Sequence, residues 1–120
     1  LSKKTCNQEL TTYNQLLIQK ENEMDQLEED QKKVEKALYQ LDEDLRSGFQ
    51  RLKELNEGND KELQNEIFRM QQKNDDQERR FRQTIQDTQK EFTQVFQKEI
   101  RRVDDEREEL HKKRGEIPWD

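Results

Sequence analysis

From Leu10 to Leu55 the apolar residues of this chain keep one seven-residue frame. With Leu10 taken as position a, Leu10, Leu17, Met24, Leu38, Leu45 and Leu52 occupy a, and Gln31 is the polar exception. Tyr13, Leu27, Val34, Leu41 and Leu55 occupy d, with Lys20 and Gly48 as exceptions. A hydrophobic period of 3.5 held this long predicts a coiled-coil helix that buries a narrow stripe against another helix. The frame runs back through Cys6 at d to Lys3 at a, so the first helix is predicted over about 3–56.

The stretch Asn56-Glu57-Gly58-Asn59-Asp60 then breaks the pattern. Gly58 suits the left-handed C-cap conformation, and Asn59 with Glu62 three residues on reads as the N-cap of a new helix. The turn is predicted at 57–59 and the second helix over about 60–114. Its stripe resumes out of the earlier frame, at Leu63, Ile67 and Met70, then Phe81, Ile85, Phe92, Phe96, Ile100, Val103 and Leu110. Met70, Phe81, Phe92 and Val103 are spaced by eleven, a period that favours a straighter or right-handed path over a left-handed supercoil. Gly115 is expected to cap this helix and Pro118 to stop it, leaving a tail over 115–120.

The predicted fold class is therefore all-α, a long two-helix antiparallel coiled-coil hairpin forming one domain over 1–120. Reversal at Gly58 predicts that facing residues have numbers summing to about 118, as expected for helices joined by a short connection. That register sets Leu55 against Leu63, Leu38 against Phe81 and Lys20 against Glu99, with Gly48 leaving room opposite Met70.

Composition supports a helical pair over an ordinary globule. The chain has 120 residues, 43% charged and 27% hydrophobic, too little apolar material for a three-dimensional core of that size. The net charge of -6 comes from interleaved signs, and Arg79, Arg80 and Arg82 follow directly on Asp75, Asp76 and Glu78. No basic face able to displace phosphate counterions is formed, which argues against nucleic acid as a partner. The longest apolar run is Leu16-Leu17-Ile18, against roughly 20 residues needed to span a bilayer, so no membrane insertion is expected. The single cysteine, Cys6, fits a reducing compartment and a cytoplasmic location.

No reaction chemistry is encoded. There is no CxxC, glycine-rich phosphate loop, HExxH or calcium-loop pattern. One histidine, His111, cannot build a metal cluster or a histidine-paired nucleophile by itself, and the carboxylate runs spread around their helices without an apolar pocket to raise a pKa. No catalytic residue, cofactor, metal or small-molecule substrate is expected. The candidates for contact with a partner are the basic residues Arg101, Arg102, Arg107, Lys112, Lys113 and Arg114, and Trp119 in the tail, tryptophan being a favoured interface anchor. Ile117 and Trp119 have two readings, a cap folded back over Lys3 and Cys6 or a docking peptide.

A charge-rich two-helix hairpin whose second helix ends in Arg102-Val103-Asp104-Asp105-Glu106-Arg107-Glu108-Glu109-Leu110 and then Lys112-Lys113-Arg114 resembles the FliJ/YscO-type stalk proteins of type III secretion. The likeness covers nearly the whole chain in size, helix order and turn position. It implies a central shaft similar to the γ subunit of rotary ATPases, seated in a hexameric export ATPase at the base of a secretion apparatus and stimulating hydrolysis without performing it. An export gate is the further partner it implies. The other reading is a structural coiled-coil tether or adaptor acting as a homodimer.

Overall fold

The computed structural model describes residues 3–58 and 63–118. Over them the chain is all-α: α1 (Lys3–Glu57) and α2 (Gln64–Gly115) pack antiparallel as a two-helix hairpin. Asn59 and Glu62, the expected N-cap pair, lie outside the described residues, as does Trp119. Neither helix contains proline. A repeated Gln-x-x-x-Asp spacing also ties successive turns: Gln26 to Asp30, Gln40 to Asp44, Gln71 to Asp75 and Gln83 to Asp87, at 2.8–3.0 Å. Pairs of this kind stabilise an exposed helix by about 0.2–0.5 kcal/mol each.

The glycine caps are a correction. No described glycine has positive φ, so neither Gly58 nor Gly115 uses the left-handed conformation, and Gly115 is the last helical residue. At the end of α2 the chain tightens instead. Glu116 N donates to both Lys112 O and Lys113 O at 3.2 Å, and Ile117 N donates to Arg114 O at 3.2 Å. The bonds to Lys113 O and Arg114 O span three residues in place of four, and they satisfy these last carbonyls without a left-handed residue.

The chain divides into two compact units, Leu1–Lys32 with Thr93–Asp120 and Lys33–Phe92. The first, terminal unit buries Leu17, Val103 and Ile117; in the second, turn-proximal unit the buried hydrophobic residue is Ile85. The register differs from the expected one in both. In the terminal unit Lys20 meets Glu106 and Asn14 meets Arg114; in the turn-proximal unit Asn56 meets Gln71, Phe49 meets Phe81 and Asp42 meets Arg82. Residue numbers of these pairs sum to between 124 and 130. Lys20 thus pairs with Glu106, not Glu99, and Phe81 packs on Phe49, not Leu38. The slip is seven residues at Lys20 and eleven at Phe81, about two and three helical turns, and either step brings the same stripe back to the interface with only about 20° of drift.

A second difference lies in which residues face the partner helix. From Leu10 through Leu38 every a and d position of the frame is buried or half-buried. Beyond Leu38 the inward positions are Asp42, Leu45, Phe49 and Asn56, while Leu41, Gly48, Leu52 and Leu55 are exposed. Gln31 to Asp42, Leu38 to Phe49 and Leu45 to Asn56 are steps of eleven, so here α1 follows the period of α2. Gly48 makes no room for Met70, since a Cβ built on it meets nothing within 4 Å. The cause is the mismatch of periods: a seven-residue stripe turns about 20° one way per repeat and an eleven-residue stripe the other way. Along α2 the outcome is graded, with Val103 1% exposed, Phe92 41%, Phe81 49% and Met70 55%.

Candidate protein-contact surfaces

In the terminal unit the acidic and basic residues of α2 recur at spacings of three and four, which stacks them on one face within reach of α1. Lys20 Nζ lies 2.5 Å from Glu106 Oε2 and 3.6 Å from Glu23 Oε2. Arg102 Nη1 donates to Glu106 Oε1 at 2.6 Å, while its Nη2 and Nε donate to Glu99 Oε2 at 3.0 and 3.2 Å. The result is a continuous chain, Lys20–Glu106–Arg102–Glu99. The Lys20 hydrogen bond, assisted by Arg102, holds the Glu106 carboxyl below the usual carboxylate range against partial desolvation. The same bond raises the Lys20 ammonium, and Glu99 and then Glu106 raise the Arg102 guanidinium.

Two further candidates also serve the fold. Arg107 Nη2 donates to Asp104 Oδ1 at 2.6 Å, while its Nε is buried without a hydrogen-bond partner. Arg114 Nη1 donates across to Asn14 Oδ1 at 3.0 Å. Of the basic residues singled out from the sequence, Arg101, Lys112 and Lys113 are exposed and form no ion pair among the described residues. Trp119 lies outside the described residues. Ile117 is buried, and the register sets it level with Leu10, so its side chain belongs to the helix pair and is not free to anchor a partner.

The turn-proximal unit has two unlike sides. One carries ions: Asp42 Oδ2 binds Arg46 Nε at 3.2 Å and Asp42 Oδ1 lies 3.8 Å from Arg82 Nε. The other side holds the residues that drift out of the seam, Leu41 and Leu52 from α1 and Met70 and Phe81 from α2. Sequence reasoning missed Asp42, Phe49 and Asn56 as inward residues; their eleven-residue spacing from Gln31, Leu38 and Leu45 was the available signal.

Among the described residues no group of three or more His, Cys, Asp or Glu side chains is placed to hold a metal ion, and no helix is long and apolar enough to cross a membrane. Comparison with protein-family models, with curated proteins and with solved structures finds no match to this chain.

Proposed function

We propose that the chain is a non-catalytic protein partner, the central stalk of a hexameric type III secretion ATPase, of the FliJ/YscO type and nearest in pattern to EscO of attaching-and-effacing injectisomes. It works in the cytoplasm at the base of the apparatus, with the export gate as a further partner. The observation that supports this reading is the terminal unit. It is cross-linked by Lys20–Glu106 and Asn14–Arg114, which gives a firm tip, and it leaves Arg101, Lys112 and Lys113 exposed for contacts outside the chain. A shaft that lacks the six-fold symmetry of the ring contacts the six subunits unequally, binds some of their conformations better than others and so couples their states.

Arg102 is a poor probe of this role, because Arg102→Glu would add a third carboxylate beside Glu99 and Glu106. Arg101 has no such contact and lies well before the last turn, outside the reach of the macrodipole. Arg101→Glu is expected to keep helix content near wild type and to weaken binding of the ATPase about tenfold, more at low salt. Purified hexamer that is not stimulated by the wild-type chain at any ratio counts against the stalk. The tether or adaptor reading is favoured by a separate observation, the apolar side chains left exposed in the turn-proximal unit.

A further inference from the structure

We infer that the apolar flank of the turn-proximal unit is the binding surface for a second copy of this chain, and that two such units pair side by side as a four-helix bundle. The inference does not depend on what the terminal unit binds.

The flank follows from helix geometry. At about 100° per residue, Leu41, Gly48 and Leu52 all lie on the same side of the inward line through Asp42, Leu45, Phe49 and Asn56. On α2, Met70, Gln77 and Phe81 lie to one side of the line through Gln71, Asn74, Glu78, Arg82 and Ile85. Because the helices are antiparallel, these two displacements bring both sets to one face of the pair. Ala37, Leu41, Gly48 and Leu52 on α1 and Met70, Gln77, Phe81, Thr84 and Thr88 on α2 put no charge there, in a chain that is 43% charged. The ions Asp42, Arg46 and Arg82 gather on the opposite face. An uncharged face offers nothing to a charged ligand and fits an apolar one.

Spacing identifies the occupant as the same face of another copy. By the register of this unit, Phe92, Phe81 and Met70 stand level with about residues 35, 46 and 57 of α1. The small residues Ala37 and Gly48 lie beside the first two levels, and Leu41 and Leu52 fall midway in the two gaps. A two-fold axis parallel to the helices preserves level and sets α1 of one copy across from α2 of the other. Phe81 of each copy then enters the open space over Gly48 of its partner, where a Cβ would meet nothing within 4 Å, and the leucines fill the intervals. The bulky rows and the vacant rows share the eleven-residue period, so the surface complements itself, as an isologous interface must. Two helices about 10 Å apart, covered over about 22 residues, present roughly 650 Å² per chain, within the range of about 600–1,000 Å² per partner of a stable complex.

Sedimentation equilibrium of the full chain tests the pairing. The wild type is expected at twice the 14.8 kDa chain mass. Leu41→Glu/Leu52→Glu, at positions exposed in the single chain, is expected to keep its helix content and raise the dissociation constant about a hundredfold. Tyr39→Glu, an exposed aromatic on the other face, is expected to leave the mass unchanged. In a Cys6→Ser background, chains carrying Gly48→Cys mixed with chains carrying Gln77→Cys are expected to form the mixed disulfide in preference to either symmetric one. A wild-type mass of one chain up to sub-millimolar concentration overturns the inference. So does a mass above two chains, a dimer indifferent to Leu41→Glu/Leu52→Glu, or a preference for the symmetric disulfides.

Discussion

Gly58 occupies a turn without using the freedom that glycine provides. Its φ is not positive, and a Cβ added to it would meet Glu54 O and Leu55 O at 3.9 Å, ordinary van der Waals separations. Its principal effect on stability is therefore exerted in the unfolded chain, where glycine has more conformations to lose than any other residue. Gly58→Ala is expected to stabilise the fold by about 0.4–1 kcal/mol. Urea melts that instead show a loss would place a backbone requirement at this position. Gly115 differs in detail, since the end of α2 is secured by the bonds of Glu116 and Ile117 to the preceding turn.

At the scale of the helices, the Lys20–Glu106 pair ties α1 to α2 and makes the terminal unit sensitive to pH. The folded Glu106 carboxyl titrates below its ordinary value of 4.5, so the stability it contributes is complete above that value and is lost as the pH falls through the depressed one. Lys20 titrates above its ordinary 10.5, and its contribution is present below that value and lost at more alkaline pH. Melting temperatures followed by circular dichroism are expected to fall below about pH 4.5 in the wild type. In Glu106→Gln the fall is expected to be shallower, and an identical acid limb in both proteins would remove Glu106 from this role. The helices themselves, their antiparallel packing and the stripe from Leu10 to Leu38 were legible in the sequence, because a sustained period admits one secondary structure. The register was not, since a slip of two or three turns presents the same stripe and leaves the pattern unchanged. Nor was the exchange of Leu41 for Asp42 and Gly48 for Phe49 at the interface visible in α1 alone; it needs both helices, whose periods disagree. Of the terminal basic cluster, the residue types were readable but not their engagement, because Arg102, Arg107 and Arg114 meet partners through geometry that only the register supplies.

For the molecule as a whole, Leu17, Val103 and Ile117 are buried in the terminal unit, where facing residues lie furthest apart along the chain. Asn56 and Gln71 are separated by 15 residues, Lys20 and Glu106 by 86. Closing the longer loop first would cost roughly 1.6 kcal/mol more in chain entropy than closing the shorter one. Formation is therefore expected to start in the turn-proximal unit, where Ile85 is the buried hydrophobic among the described residues, and to reach the terminal unit last. The order of assembly and the order of strength run in opposite directions. Stopped-flow kinetics can read this: Ile85→Ala is expected chiefly to slow folding, and Val103→Ala chiefly to accelerate unfolding. The reverse assignment would mean that the termini meet first. If formation begins in the turn-proximal unit, anything that grips that pair of helices, a second chain included, is expected to act as a template for the rest of the hairpin to close upon, and to speed folding as chain concentration rises.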